Sequence, residues 1–185
     1  MRRTDNAIGR LSRNCFEGRT SNGRDFRVDT ILTADELTPG DRLELGHLTL
    51  TEEEIVGFAR QWDPQWFHTD PVAAAGGHHG GVIASGIHTL AILQRLCVES
   101  VYSRWAVIAG RGFDRLRFTA PVRPGDTLTG SVHVTEVSPD ETRGRVGMEL
   151  EMRNQDASVV LTATMTVFLW RRGHGPTRPP GEEAG

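Results

Sequence analysis

The spacing of apolar residues changes about midway along the chain. In the first half apolar positions recur every three or four residues, which is typical of helices, and in the second half they alternate with polar positions, which is typical of half-buried strands. We therefore predict an α+β domain in which one long helix lies across an antiparallel sheet.

Capping signals place the start of the first helix. Thr51 followed by Glu54 is a capping-box pattern, and Leu50 with Ile55 has the spacing of a hydrophobic staple. These signals predict that the helix begins at Glu52.

Two Asp-Pro pairs mark where this helix ends and where the next one begins. Pro64 disfavours helical geometry at Asp63, so the first helix should end there. Asp70 is a favoured N-cap and Pro71 is favoured at the first helical position, which predicts a second, short helix over 71–75.

The segment between these helices contains Asp63 and His68, and we predict that its backbone is irregular. Large side chains around the two residues would dock this link and border a pocket. They are Trp62, Gln65, Trp66 and Phe67.

Longer patterns predict the remaining elements. Residues 84–102 are apolar on nearly every face, which indicates a buried helix. Alternating patterns separated by turn residues predict four consecutive strands. The strands cover about residues 106–119, 126–137, 146–154 and 157–170.

Both ends of the chain differ from the middle in composition. Residues 1–28 are rich in Arg, Ser, Asn and Gly, which predicts an N-terminal arm that is mobile or packs on a partner subunit. Residues 172–185 are rich in Gly and Pro, which predicts a disordered C-terminal tail. The folded domain should therefore span 29–171.

Charge and composition exclude several functions. The 185 residues have a formal net charge of -3 and a sequence pI of about 6.2, so no basic field favours nucleic acid or a membrane surface. All 21 positively charged residues are arginine. The absence of lysine excludes Schiff-base chemistry, a P-loop lysine and covalent attachment of pyridoxal phosphate.

The cysteines and the N-terminal residues bear on the cellular compartment. Cys15 and Cys97 lie far apart in sequence and in different contexts, which favours a reduced, intracellular protein. The first residues never reach an apolar run of signal-peptide length, and no stretch is long and apolar enough to span a bilayer. We expect a cytoplasmic protein.

Four histidines lie close enough in sequence to suggest a metal site. However, His78 and His79 are adjacent on a glycine-rich loop, and no cysteine or carboxylate completes a set of spaced ligands with His68 and His88. We predict that no metal binds, and we interpret the loop GGHHGG, 76–81, as a mobile loop near the mouth of the pocket.

Several motifs resemble those of one enzyme family. Asp63 and His68 are followed by Asp70 and Ala74, as in a hydratase motif that runs Asp-x-Asn-Pro-aliphatic-His-x-Asp/Glu, with Ala or Ser four residues after that acid. The runs GGVIASGIHT and FTAPVRPGDTL follow in the same order. Over about residues 35–170 the chain resembles the MaoC-like and (R)-specific enoyl-CoA hydratase family.

The resemblance implies a hot-dog fold, in which an antiparallel sheet wraps a long helix. It also implies a homodimer or higher homo-oligomer that binds an acyl-CoA thioester near the subunit interface. It also implies reversible addition of water to a 2-enoyl thioester, without a metal or other cofactor. Asp63 and His68 would be the acid and base, in an order that the sequence leaves open. Ser85 and Gly86 would place a backbone N–H at a helix start against the thioester oxygen.

Some residues depart from the family motif. Pro64 and Gln65 reverse the order of the family's Asn and Pro, and Trp66 stands where many relatives have Pro. A tryptophan here would shorten or reshape the acyl pocket. Two other functions on the same fold therefore stay open, because one fold supports many functions. One is a thioesterase that uses Asp63 as base or nucleophile, and the other is a non-catalytic acyl-CoA-binding subunit of a heterodimer.

Overall fold

The computed structural model describes residues 31–175, so the predicted arm and the predicted tail beyond residue 175 lie outside the described residues. None of the helices within this range is long and apolar enough to cross a membrane. The helices are α1 (Glu52–Trp62), α2 (Trp66–Thr69), α3 (Pro71–Ala75) and α4 (Gly86–Ser100), with short 3-10 turns at Ala34–Glu36 and Tyr102–Arg104. The strands are β1 (Arg42–Thr49), β2 (Val107–Phe118), β3 (Thr127–Pro139), β4 (Arg143–Arg153) and β5 (Val159–Trp170).

The bonds at the ends of α1 and α3 confirm the capping signals. The Thr51 hydroxyl accepts from the Glu54 N–H at 3.2 Å, and the Glu54 carboxylate accepts from the Thr51 N–H at 2.9 Å. The helix ends at Asp63, whose N–H donates to the Ala59 carbonyl at 2.9 Å. The Asp70 carboxylate caps α3 by accepting two backbone N–H groups, both at 3.0 Å.

The strands form one antiparallel sheet in the order β1-β3-β4-β5-β2. β3, β4 and β5 pair in the order of the chain, and each alternates buried with more exposed positions. β1 and β2 form the two edges of the sheet. The α+β architecture predicted from the sequence is confirmed.

The long helix α4 packs on the inner face of the sheet. A Cβ at Gly130 of β3 would lie 3.4 Å from Leu93 Cδ1 and 2.8 Å from Leu45 Cδ1, so the glycine leaves room for side chains of α4 and β1 to pack closely over β3. The buried apolar side chains of α4 belong to one face. They are Ile92, Leu93, Leu96 and Cys97.

Two predictions about elements need correction. The prediction of four strands missed β1, where the alternation of Leu43 and Leu45 stops at Gly46 and the pairing with β3 shifts register. So short a pattern resembles a loop with two buried leucines. The helix predicted over 84–102 is shorter, because the Ser85 hydroxyl caps α4 and the chain leaves helical geometry after residue 100.

Truncation of Leu93 tests the packing of α4. Leu93 is 0% exposed, so Leu93→Ala should lower the free energy of unfolding by about 2–5 kcal/mol through lost contacts and a residual cavity. Val98 lies on the same helix and is 46% exposed, so Val98→Ala should change this free energy by only about 0.5 kcal/mol. Chemical denaturation measures both, and equal losses would contradict this packing.

Candidate active site

Three helix ends bring Asp63, His68 and Ser85 together. α1 ends at Asp63, α2 contains His68, and Ser85 is the N-cap of α4. Ser85 Oγ donates to Asp63 Oδ2 at 2.6 Å, and His68 Nε2 lies 3.5 Å from the same carboxylate oxygen. The link between α1 and α3 is not irregular as predicted, because residues 66–69 form a turn of helix that orients the histidine.

Both oxygens of the Asp63 carboxylate accept hydrogen bonds. Gln65 Nε2 donates to Oδ1 at 2.8 Å, while Ser85 Oγ occupies Oδ2. The Ser85 hydroxyl and then the Gln65 amide hold the pKa of Asp63 below its ordinary value, with a smaller contribution from His68, against the opposing effect of burial. Asp63 is therefore an ionised carboxylate at neutral pH.

The protonated nitrogen of the His68 ring follows from its other contact. The ring is buried, and Nδ1 lies 2.7 Å from the carbonyl oxygen of Ile83. A carbonyl oxygen only accepts, so Nδ1 must hold the hydrogen, and Nε2 of the neutral ring is then an acceptor. Nε2 and Asp63 Oδ2 are consequently two acceptors that face each other across 3.5 Å.

The amide of Gly86 is a hydrogen-bond donor at the start of α4. The neighbouring Ile87 N–H donates to Ser85 Oγ at 3.3 Å, whereas no acceptor within 31–175 contacts the Gly86 N–H. A Cβ at Gly86 would lie 2.7 Å from Phe118 Cε2 of β2, so glycine is required for this close approach. The N–H at the positive end of α4 is thus suited to a partly negative oxygen.

A groove of about 310 Å³ opens beside these groups. His68 and Gly86 contribute to its lining, and an apolar wall comes from β2, β5 and the connection between β2 and β3. This wall consists of Phe118, Ala120, Pro121, Val122 and Val160. The groove therefore combines an apolar surface with the polar groups of the site, as ligand sites commonly do.

The four residues predicted to border the pocket do not line this groove. Trp62 and Trp66 are 63% and 51% exposed, and a Cβ at Gly77 would lie 2.6 Å from Trp66 Cη2, so Trp66 packs over that glycine. The Phe67 ring packs edge-on against the His68 ring, with 4.4 Å between centroids. The four are Trp62, Gln65, Trp66 and Phe67.

Most of the lining of the groove was not predicted from the sequence, including His79, Thr89 and Phe118. The sequence placed the loop GGHHGG near the mouth of the pocket, but it assigned neither histidine of this loop to the lining. In the part of the chain that the structure describes, no group of three or more His, Cys, Asp or Glu side chains could hold a metal ion.

Comparison with known proteins assigns the chain to a family. The model of the MaoC like domain matches residues 35–154. The chain belongs to the MaoC-like dehydratase family. The hot-dog fold expected from the sequence is confirmed by a crystal structure of a MaoC-like dehydratase from Rhodospirillum rubrum, which has a TM-score of 0.69 and 35% identity and covers 76% of this chain and 98% of that one.

Other relatives are named hydratases, dehydratases or uncharacterized proteins. The R-hydratase PhaJ1 from Pseudomonas aeruginosa has a TM-score of 0.62 and 25% identity over 83% of this chain and 96% of that one. The uncharacterized protein YdeM of Bacillus subtilis is 33% identical over 74% of this chain and 98% of its own length. The 3-hydroxyacyl-thioester dehydratase Z of Mycobacterium tuberculosis is 41% identical over a match that covers 44% of this chain and 55% of that protein.

Removal of the Ser85 hydroxyl tests the electrostatics of Asp63. Ser85→Ala should raise the pKa of Asp63, because the largest interaction that favours the carboxylate is lost. A carboxyl group whose pKa is lower in the folded than in the unfolded protein stabilises the fold at pH values above its unfolded pKa. This stabilisation is lost as the pH falls through the folded pKa. The stability difference between wild type and Ser85→Ala should therefore shrink on acidification.

A carbon-13 NMR titration of the Asp63 carboxyl measures this shift directly. Ser103→Ala is the matched control, because the Ser103 hydroxyl donates to the Glu99 carbonyl and not to Asp63. An unchanged Asp63 titration in Ser85→Ala would contradict the proposed role of this hydrogen bond.

Proposed function

We propose that this protein adds water reversibly to the double bond of a 2-enoyl-CoA thioester, with Asp63, His68 and the Gly86 amide as the reacting groups. Its membership of the MaoC-like family supports a hydro-lyase, as do relatives named as hydratases and dehydratases. The observation that carries the proposal is the pair of facing acceptors, Asp63 Oδ2 and His68 Nε2, beside a groove.

A water molecule suits this pair chemically. Two acceptors 3.5 Å apart repel unless a donor lies beside both, and water has two hydrogens to donate. A water that donates to Asp63 and to His68 directs its lone pairs away from both side chains. Its oxygen is thereby aimed at a substrate carbon in the groove, and its nucleophilicity increases as the hydrogen bonds tighten.

The proton transfers follow from the hydrogen bonds of the two side chains. Asp63 is a weak base, since its pKa is lowered and both its oxygens are occupied. His68 Nε2 takes one proton from the water as the oxygen bonds to C3, and the π electrons of the double bond move onto the thioester oxygen. The resulting imidazolium then protonates C2, and Asp63 stabilises its charge.

The thioester oxygen gains negative charge between these two transfers. In the proposal it accepts from the Gly86 N–H, whose position at the start of α4 adds the positive end of the helix dipole. In this mechanism the acid–base pair and the Gly86 amide supply every catalytic group, so the proposal includes no metal or cofactor. Location in the cytoplasm, expected from the cysteines, remains a prediction.

The thioesterase and the non-catalytic acyl-CoA-binding subunit have less support than the hydratase. A nucleophilic role for Asp63 would require it to give up hydrogen bonds from Ser85 and Gln65. A blocked, non-catalytic subunit would require the Trp66 indole to fill the groove, and this side chain packs over Gly77 instead.

We also propose that the chain acts as a homodimer through β2. β2 is an edge strand, its positions are exposed or half-buried, and Ile108 and Phe118 present apolar surface there. A free apolar edge readily pairs with a second strand. Because Phe118 also covers Gly86, such a dimer would place the candidate site next to the interface.

Substitution of the reacting pair tests the proposed reaction. Asp63→Asn and His68→Ala should each lower kcat for hydration of crotonyl-CoA roughly 10²- to 10⁴-fold, because general acid–base catalysis is lost. Asp70→Asn is the control, since asparagine also caps helices and the Asp70 carboxylate accepts hydrogen bonds from the first turn of α3 and not from the candidate site. Absorbance of the enoyl thioester measures hydration, and assay of free thiol measures hydrolysis.

Wild-type protein that leaves every enoyl-CoA of a length series unchanged would contradict the proposal. Release of free CoA without hydration would favour the thioesterase instead.

Substitution on the edge strand tests the dimer. Light scattering during gel filtration should give the mass of a dimer for the wild type and of a monomer for Ile108→Arg, because a charged side chain would be buried in the new interface. Val72→Arg on α3 is the control, as Val72 is 87% exposed and distant from β2 in the chain. A wild-type protein with the mass of a monomer would contradict the proposed dimer.

A further inference from the structure

The loop GGHHGG, 76–81, forms part of the wall of the reaction groove. His79 lines the groove together with His68, and both imidazole rings pack around Phe67, with ring centroids 6.0 Å and 4.4 Å from it. Its neighbour His78 is exposed and does not line the groove. The loop thus places a second histidine close to the proposed catalytic one.

Arg123 holds this loop in place. It lies in the turn between β2 and β3, and its Nη2 donates to the His79 carbonyl at 2.7 Å. A Cβ at Gly81 would lie 3.9 Å from Arg123 Nη1, so the guanidinium extends along the loop. The exposed arginine side chain therefore lies next to His79, which lines the groove, although Arg123 itself is not part of the lining.

These two side chains have hydrogen-bonding capacity that the described part of the chain does not satisfy. Between residues 31 and 175 no carboxylate pairs with the Arg123 guanidinium, and no acceptor contacts either ring nitrogen of His79. Asp126 is the acid nearest to Arg123 in sequence, but its oxygens accept from the Arg123 backbone N–H and from Gln155. The lining of the groove includes no Asp or Glu.

We propose that His79 and Arg123 form an anion-binding corner that fixes one end of the thioester substrate. The inference rests on the proposed function, since His79 lines the groove that would hold the thioester and Arg123 contacts His79 beside it. Arginine and histidine side chains donate to carboxylate and phosphate oxygens, and charged donors strengthen such bonds. The corner therefore selects a substrate that places an anionic oxygen beside the Phe67 ring.

Two parts of an acyl-CoA substrate supply such an oxygen. The acyl group can end in a carboxylate, and the CoA carrier contains phosphates. The Gly86 amide would fix the thioester carbonyl between these two parts, so only one of them can extend toward His79. A matched set of substrates separates the two sources.

The test uses four thioesters that combine two acyl groups with two carriers. The acyl groups are a plain enoyl group and an enoyl group with a terminal carboxylate, and the carriers are CoA and N-acetylcysteamine, which has no phosphate. His79→Phe and Arg123→Gln should each lower kcat/KM roughly 10- to 100-fold for the thioesters whose anionic group reaches the corner, because a charged hydrogen bond is lost. His78→Phe and Arg145→Gln are the controls. His78 lies outside the groove, and Arg145 of β4 pairs with Glu136 of β3. The controls should leave kcat/KM unchanged.

The pattern of losses identifies the anion. Losses confined to the carboxylated acyl groups assign the corner to an acyl carboxylate, and losses confined to the CoA thioesters assign it to a carrier phosphate. Equal losses on all four thioesters, or no loss on any, would overturn the proposal. His79→Gln replaces His79→Phe if the latter lowers the melting temperature.

Binding of unreactive analogues keeps this test independent of the proposed reaction. Calorimetry with butyryl-CoA and glutaryl-CoA, and with the N-acetylcysteamine thioesters of the same acids, should show the same pattern in Kd for the same variants. If wild-type protein binds these analogues in that pattern but hydrates no enoyl thioester, the hydratase proposal fails and the corner stands. If Kd is equal in wild type and both corner variants, the corner fails.

Discussion

The hydrogen bond between His68 Nδ1 and the Ile83 carbonyl determines the chemistry of the site. It fixes a hydrogen on Nδ1, so that in the neutral ring Nε2 is an acceptor that faces the Asp63 carboxylate at 3.5 Å. Without that bond the ring could place an N–H toward Asp63, and the two side chains would satisfy each other without a water. The proposed reaction depends on the arrangement in which neither acceptor has a donor from the other, so that a water molecule must supply both hydrogens.

Short-range rules of the sequence create the geometry around this bond. Pro64 ends α1 at Asp63, α2 turns His68 back toward the segment before α4, and Ser85 both caps α4 and donates to Asp63. One hydroxyl therefore positions the carboxylate and caps the helix whose first residue, Gly86, lines the groove. Because α4 is anchored on the sheet by buried leucines, the donor and the acid–base pair are held in fixed relation.

The sequence was sufficient for the elements with strong local signals. α1 and α3 have capping residues, and β3, β4 and β5 alternate over most of their length. β1 was missed because its alternation is interrupted at Gly46.

The spacing of Asp63 and His68 also made the candidate pair accessible from the sequence. The groove was not, since its wall joins residues distant in the chain, such as His79 and Phe118. The tryptophans were assigned to the pocket because of their size, yet the turn of α2 directs Trp66 over Gly77. Side-chain direction within a single helical turn is a property of the folded backbone, and sequence spacing alone does not give it.

The most direct measurement is a crystal structure of the protein with 3-hydroxybutyryl-CoA bound, in which the C3 hydroxyl occupies the position of the attacking water. The account predicts that this hydroxyl donates its one hydrogen to Asp63 Oδ2 or His68 Nε2, with its oxygen about 2.6–3.2 Å from that acceptor and next to the other, while the thioester oxygen accepts from the Gly86 N–H. A hydroxyl that contacts neither side chain, or an acyl group bound outside this groove, would contradict it.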